Sequence, residues 1–224
     1  MFGPDPNANP RLADLITKAK RAQFPKQSIE AAIARGQGRS LSGASLEPVT
    51  LEAILPQNVA VVIECETDNK SRTLQDLRLI IKTHGGNATP TSYLFAKKGR
   101  IVFEKKEGVG VDDVFEPALE AGALDVIEDA EGRVVVYTEA NETKATGETL
   151  SASLSLDITS SEIIWDPNED TKVPLESEDL AQSLSGFVDA LQEKEATLQG
   201  VYMNAAQGSA GEEAWAELQS RVTA

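Results

Sequence analysis

Residues 59–106 constrain the fold more than any other part of the chain. Val59, Val61 and Ile63 recur at every second position, which is the period of a strand with one buried face. Leucine and isoleucine then recur at helical spacing over residues 74–81. A strand followed at once by an amphipathic helix predicts a small sheet that is covered on one side by the helix.

The boundaries of this unit follow from its polar residues. The helix is expected to begin after a capping side chain, Asp68 or Ser71, which accepts hydrogen bonds from free backbone N–H groups. Two short strands are expected to follow, over residues 93–96 and 100–104, with a turn at residues 97–99 between them. The cationic residues of this stretch are therefore expected at turns and on exposed faces.

Two short helices are predicted ahead of this unit. Asn9 followed by Pro10 is typical of a helix start, because a capping side chain precedes a proline that fits the first helical position. Pro25 interrupts the apolar periodicity, and a second helix is expected to end at Gly36. Such a pair forms a hairpin that is too small to fold well without a third partner.

The second half of the chain predicts another sheet with helices. Over residues 101–165 the patterns follow the order strand, helix, strand, strand, helix, strand, which is the ferredoxin-like order. The first of these helices is expected over residues 112–122, with a start nearer Phe115 as the alternative because Pro117 is awkward outside the first turn. A long amphipathic helix capped by Ser177 and a last strand over 198–203 are expected to follow.

Composition bounds the class of protein. The 224 residues allow one to three domains, and no apolar run reaches the ~18 residues that a membrane span needs. Cys65 is the single cysteine, so no disulfide framework exists, which suits a reducing compartment.

Charge is distributed very unevenly. The formal net charge is −15, but residues 1–40 carry +4, residues 41–110 carry +1 and residues 111–224 carry −20. Basic groups of the front part can neutralise phosphates and release condensed counterions. The acidic rear would be repelled by the same polyanion, so contact with nucleic acid must be one-sided. The alternative is that both faces are simply solvated.

Catalytic constellations are scarce. His84 is the single histidine, and a dyad with Cys65 competes with a helix-end imidazole and a core thiol. Residues 85–87 resemble a phosphate loop, but they follow a helix instead of preceding one, which favours a helix cap. Glu64 and Glu66 face outward on a strand without a visible base. We therefore predict no catalytic residues, no metal site, no cofactor and no enzyme.

Several blocks of the sequence carry a family resemblance. They are DPNANPRLADLITKAKRAQFPKQSIEAAIARGQG near the start, ECETDNKSRT, HGGN and YLFAKKGRIVFEKK in the centre, and EPALEAGALDVIED and LQGVYMNA further on. Together they resemble the YebC/PmpR family over roughly residues 5–205. That family covers bacterial proteins long labelled transcriptional regulators and the mitochondrial translational activator of cytochrome c oxidase. The chain departs from the family at LEAILPQNVA, where a glycine-rich stretch is usual.

The resemblance implies an α+β fold with three domains. Residues 1–40 would be a truncated N-terminal helical domain, which lacks the family's first helix. Two small α/β sandwich domains would follow, one over residues 46–99 and 175–205 and the other, ferredoxin-like, over residues 100–174 and inserted into the first. Residues 206–224 are expected to be a flexible tail.

The resemblance leaves two functions open. The first is a mitochondrial translational activator, expected to be a monomer of the matrix without a membrane span. It would bind the mitochondrial ribosome through rRNA or mRNA and promote synthesis of proteins such as a cytochrome c oxidase subunit. The mitochondrial branch is hypothesised because the motifs are loosened relative to the bacterial pattern. The alternative is a DNA-binding transcriptional regulator of the bacterial cytoplasm, although no helix suited to reading the major groove is recognisable.

The predicted nucleic-acid surface consists of cations from the front half. Binding is expected to depend on phosphate contact and shape, because few exposed aromatic residues are expected. The predicted residues are Lys18, Lys20, Arg21, Lys26, Arg35, Arg39, Lys70, Arg72, Lys97, Lys98 and Arg100.

Overall fold

The computed structural model describes residues 9–40 and 43–223, which form a mixed α/β fold with two antiparallel four-stranded sheets. The helices of this part are α1 (Pro10–Arg21), α2 (Lys26–Gly36), α3 (Lys70–Thr83), α4 (Val111–Glu120), α5 (Thr143–Leu154), α6 (Glu178–Lys194) and α7 (Glu212–Gln219). The strands are β1 (Glu47–Ile54), β2 (Ala60–Thr67), β3 (Asn87–Ala88), β4 (Phe95–Phe103), β5 (Ala123–Glu128), β6 (Val134–Glu139), β7 (Ile158–Pro167), β8 (Val173–Pro174), β9 (Leu198–Met203) and β10 (Ala205–Ala206).

The first sheet has the strand order β3-β1-β2-β9. Strand β2 is central, and its alternating residues, including Ile63, enter a core with Leu77 of α3 and Phe187 of α6. All three side chains are almost fully buried, as the apolar periodicity of the sequence predicts. The capping role expected for Ser177 is confirmed, because its hydroxyl accepts a hydrogen bond from the N–H of Leu180.

The second sheet has the strand order β5-β6-β4-β7. Its elements follow the expected strand, helix, strand, strand, helix, strand sequence from β4 to β7. Ile101, Phe103 and Val136 face a second core that α4 and α5 complete. A small cluster around Phe95, Ile164 and Tyr202 joins this sheet to the first one.

The turn predicted at residues 97–99 is wrong, because this segment lies inside the continuous strand β4. Lys-Lys-Gly is typical of a turn, but here Gly99 serves helix packing. A Cβ at Gly99 would collide with the side-chain oxygens of Thr138 and Thr143, so only glycine lets α5 approach the strand this closely. Strand β4 pairs with β6 on one side and β7 on the other, which makes it central.

The start of α3 also differs from the prediction. Asn69 is the capping residue, since its side-chain oxygen accepts a hydrogen bond of 3.1 Å from the N–H of Arg72. Neither Asp68 nor Ser71 makes this contact. Asparagine is among the preferred capping residues, and the backbone geometry of the turn decides which of three adjacent polar residues acts.

Helix α4 begins earlier than the position of Pro117 suggests. Asp113 accepts a hydrogen bond of 2.9 Å from the N–H of Gly110, which fixes the helix start ahead of Val111. The expected start at Asp112 is therefore confirmed to within one residue, whereas the alternative start near Phe115 is wrong and Pro117 lies inside the helix. Burial of Val114 and Ala118 in the second core and the capping contact of Asp113 both stabilise the helix despite Pro117.

The end of the chain is held more firmly than expected for residues 206–224. Ala214 and Leu218 of α7 are buried against the first core. Arg221 donates to Asp189 of α6 at 2.7 Å, and the N–H of Thr223 donates to the carbonyl of Val201 at 2.8 Å. The predicted flexible tail is thus a helix whose apolar face is covered. The division of the rest of the chain into three domains stays a prediction.

Candidate nucleic-acid interface

Helices α1 and α2 form a basic helical hairpin, and local sequence determines where α1 begins. The side chain of Asn9 accepts from the N–H of Leu12 at 3.1 Å, and Pro10 takes the first helical position, as predicted. Lys18, Lys20 and Arg21 lie in the last turn of α1, where cations interact favourably with the helix dipole. The end of α1 therefore carries three cations, and Arg35 adds a fourth in the last turn of α2.

Six of the eleven predicted cations are exposed and form no ion pair with any residue in the described part of the chain. Five belong to the hairpin and the turn after it, and we call them the hairpin cations: Lys18, Lys20, Arg21, Arg35 and Arg39. The sixth is Lys70, at the start of α3. Unpaired cations can bind phosphate without first breaking an internal contact.

The other five predicted cations are paired with carboxylates. Four of them lie outside the hairpin, and the five cations together form six ion pairs, because Arg72 has two partners. The pairs are Lys26 with Glu30 at 3.6 Å, Arg72 with Asp76 and Glu195 at 3.6 Å each, Lys97 with Glu64 at 4.0 Å, Lys98 with Asp166 at 2.6 Å, and Arg100 with Glu162 at 2.7 Å.

These pairs differ in how firmly they hold the cation. The side chain of Lys26 is 88% exposed, so its pair with Glu30 is weak and the lysine stays available to a ligand. Lys98 and Arg100 instead pair across β4 and β7, where both partners are partly buried. A phosphate would have to displace a carboxylate before it could reach either side chain.

Arg72 has a structural partner in Glu195, which is buried to 2% exposure. The carboxylate accepts from the hydroxyls of Thr73 at 2.9 Å and Thr197 at 2.7 Å. Burial alone would raise the pKa of Glu195, but the Thr197 and Thr73 hydrogen bonds and the Arg72 charge together lower it. Arg72 thus helps to keep a buried carboxylate ionised.

Lys97 belongs to a contact between the two sheets. Its ammonium lies 4.8 Å from the ring centroid of Trp165, whose indole N–H donates to Glu64 at 2.8 Å. Glu64 is on β2 and Trp165 on β7, so this hydrogen bond links strands of different sheets. Lys97 neutralises and covers that link.

An exposed aromatic ring lies within the basic hairpin, and the sequence reasoning missed it. Phe24 is 60% exposed in the turn between Arg21 and Lys26. Aromatic rings among cations form stacking platforms for unpaired bases. The signal that could have found it is the short sequence RAQFPK, in which the phenylalanine is flanked by cations and a proline.

The Cys65 and His84 side chains have separate environments. Burial, followed by the charges of Glu195 and Glu64, raises the pKa of the Cys65 thiol to about 12. The Nδ1 of His84 lies 2.9 Å from the carbonyl of Ile80, and its ring meets Phe187 edge to face. Gly85 adopts a φ of +76° at the end of α3, in agreement with the helix-cap interpretation.

Among residues 9–40 and 43–223 no cluster of three or more histidine, cysteine, aspartate or glutamate side chains is arranged to hold a metal ion. Within the same ranges no helix has the length and apolar character of a membrane span.

Comparison with known proteins gives matches along almost the whole chain. Residues 1–39 match the family model of the TACO1/YebC protein N-terminal domain, and residues 46–205 match that of the TACO1/YebC second and third domain.

Individual relatives agree with these matches. A probable transcriptional regulatory protein of Persephonella marina is 40% identical over 205 residues, which is 90% of this chain and 80% of the relative. Another of that description, from Parafrankia, is 40% identical over 206 residues, or 91% of this chain and 80% of the relative. A crystal structure of a conserved hypothetical protein from Aquifex aeolicus has a TM-score of 0.65 and 35% identity, covering 94% of this chain and 84% of that one. The chain belongs to the TACO1/YebC family.

Proposed function

We propose that this protein binds nucleic acid and regulates gene expression, with the α1–α2 hairpin as its main contact surface. The carrying observation is the set of five exposed hairpin cations, which have no ion-pair partner among the described residues, together with the exposed Phe24 in the turn between the two helices. Lys26 and Lys70 extend the surface. Arg72, Lys97, Lys98 and Arg100 contribute only where the ligand displaces their carboxylate partners.

RNA is the ligand that this surface fits best. Phe24 offers a platform for an unpaired base, and unpaired bases are common in folded RNA but absent from intact duplex DNA. Surrounding lysines and arginines bind phosphates whatever the sequence. We therefore propose that the ligand is RNA. From the family resemblance, and not from the surface, we further propose a translational activator that binds ribosomal RNA or mRNA on the mitochondrial ribosome, as a monomer in the matrix.

A second candidate function is transcriptional regulation by DNA binding, in a bacterial cytoplasm. The observation that favours it is the description of the bacterial relatives as probable transcriptional regulatory proteins. This candidate requires the hairpin to contact duplex phosphates, and it gives Phe24 no part in binding, because the bases of a duplex are already stacked.

Crosslinking in cells separates the two candidates. Full-length protein is crosslinked with ultraviolet light, and both RNA and DNA attached to it are sequenced. The translational candidate predicts enrichment of ribosomal RNA or mRNA, which Phe24→Ala reduces. Enrichment of promoter DNA that Phe24→Ala leaves unchanged would instead establish the transcriptional candidate.

A matched pair of charge variants tests the surface itself. Lys20→Glu changes the charge of the hairpin, and Lys144→Glu makes the same change on α5, where the side chain is 85% exposed. We expect Lys20→Glu to weaken binding to single-stranded RNA about tenfold at low salt, with little effect of Lys144→Glu. Equal effects of the two variants would contradict a localised surface.

A further inference from the structure

A second candidate site lies far along the chain from the hairpin, in a cleft between β7 and α7. The cleft has a volume of about 270 Å³ and is lined on one side by Ile164 and Trp165, and on the other by Trp215 and Leu218. The sequence contains two tryptophans, and both line this cleft. A space of this size accommodates one large apolar side chain but not a whole cofactor.

The walls of the cleft are held in place before any ligand arrives. Trp165 is fixed by the hydrogen bond from its indole N–H to Glu64 and by the ammonium of Lys97 over its ring. Trp215 packs against the first core. Its indole N–H has no acceptor among the described residues.

Electrostatics around the cleft disfavour a polyanion. Helix α7 carries three glutamates, Glu212, Glu213 and Glu217, of which Glu212 lies one turn before Trp215. The cation next to this helix is Arg221, which pairs with Glu217. The two charged side chains of the lining are already paired within the protein, Asp166 with Lys98 and Lys172 with Glu169. Because residues 111–224 carry a net charge of −20, a cationic ligand is attracted and nucleic acid is repelled.

We propose that this cleft docks a basic protein segment, whose one apolar or aromatic side chain inserts between Trp165 and Trp215. Lysines or arginines on either side of the anchor face the carboxylates of α7. Aromatic anchors in preformed pockets carry most of the binding free energy at such interfaces, while rim charges mainly set selectivity and association rate. This proposal does not rest on the proposed function, because the cleft contains none of the hairpin cations; Lys97 and Lys98 adjoin it through Trp165 and Asp166.

The tryptophans make the test direct, because the emission of the full chain reports only on this cleft. The probe is a blocked pentapeptide with a central phenylalanine flanked by two lysines on each side. We expect a saturable change in tryptophan emission, with binding about tenfold weaker when the central residue is glycine. A glutamate-flanked phenylalanine peptide should bind more weakly than the lysine-flanked one.

A charge variant localises the effect. Glu212→Lys, on the helix α7 that supplies Trp215 and Leu218 to the cleft, should weaken binding of the lysine peptide severalfold, whereas Glu120→Lys on α4, a helix that supplies no residue to the cleft, should not. The proposal is overturned if the lysine peptide produces no saturable change, or if the phenylalanine and glycine peptides bind equally. It is also overturned if single-stranded RNA changes the emission as strongly as the lysine peptide does.

Discussion

The cations of the predicted surface form two groups. Some have no ion-pair partner among the described residues, and others form ion pairs that stabilise the fold. Arg72 and Lys70 lie in the same turn of α3, and sequence alone gives them the same exposed character. In the structure, Arg72 supports the buried Glu195 while Lys70 has no ion pair in the described ranges. The difference depends on Glu195, which is more than a hundred residues away, so local sequence could not reveal it.

The Arg72 and Lys70 pair gives a prediction about stability. Arg72→Gln should lower the free energy of unfolding by about 1 kcal/mol, because Glu195 loses its cation. Lys70→Gln should change it by less than about 0.5 kcal/mol. Urea denaturation of both variants checks this, and equal stability of the two would contradict the structural role of Arg72.

Glu195 predicts a pH dependence. Because its pKa is lowered in the folded state from the ordinary value of 4.5, its charge stabilises the fold above that pH, and the contribution is lost as pH falls through the folded pKa. Glu195→Gln should therefore cost about 1–3 kcal/mol at neutral pH, and less as pH falls below that value. A difference from the unmodified chain that stays constant down to acid pH would refute this account.

Cys65 predicts chemical inertness in the folded chain. Burial of the thiol raises its pKa to about 12, and only the thiolate reacts with alkylating agents. Iodoacetamide at mildly alkaline pH should therefore leave Cys65 unmodified in the folded chain and modify it readily in urea. Mass spectrometry measures the extent, and rapid labelling of folded protein would contradict the buried position.

At the scale of elements, sequence periodicity predicted most of the architecture. The alternation around Ile63 and the helical spacing around Leu77 identified the first sheet and its covering helix. The interpretation of β4 was wrong because Lys-Lys-Gly has the composition of a turn, while the strands that pair with it lie far along the chain. The local amino-acid composition carries no information about strand pairing with residues that are distant in the sequence.

Alanine substitutions at two glycines test the conclusion that α5 packs closely against β4 at Gly99. Gly99→Ala should destabilise the protein by about 1–3 kcal/mol, because the added Cβ collides with Thr138 and Thr143. Gly186→Ala, in the interior of α6 with open space around it, should stabilise by about 0.5–1 kcal/mol. Thermal unfolding compares the two, and a neutral Gly99→Ala would contradict the close approach of α5 to the strand.

At the scale of the whole molecule, counting charged residues along the sequence predicted the uneven distribution of charge. It did not predict which of the cations are available to a ligand. Counting placed the excess of positive charge in residues 1–40. It could not show that Lys98 and Arg100 form ion pairs with carboxylates of β7, or that the side chain of Phe24 is exposed in the basic hairpin. The candidate surface is therefore smaller than the predicted set of eleven cations, and it is centred on the hairpin.

The salt dependence of RNA binding tests this central claim most directly. Affinity of the full chain for single-stranded RNA is measured across a range of salt concentrations, for the unmodified protein and for a variant with Lys18, Lys20 and Arg21 all changed to glutamine. We predict that the variant's slope of log affinity against log salt is smaller by about 2, since each lost phosphate contact removes about 0.7. An unchanged slope, or an equal reduction in a Lys98→Gln, Arg100→Gln variant, would contradict the hairpin as the contact surface.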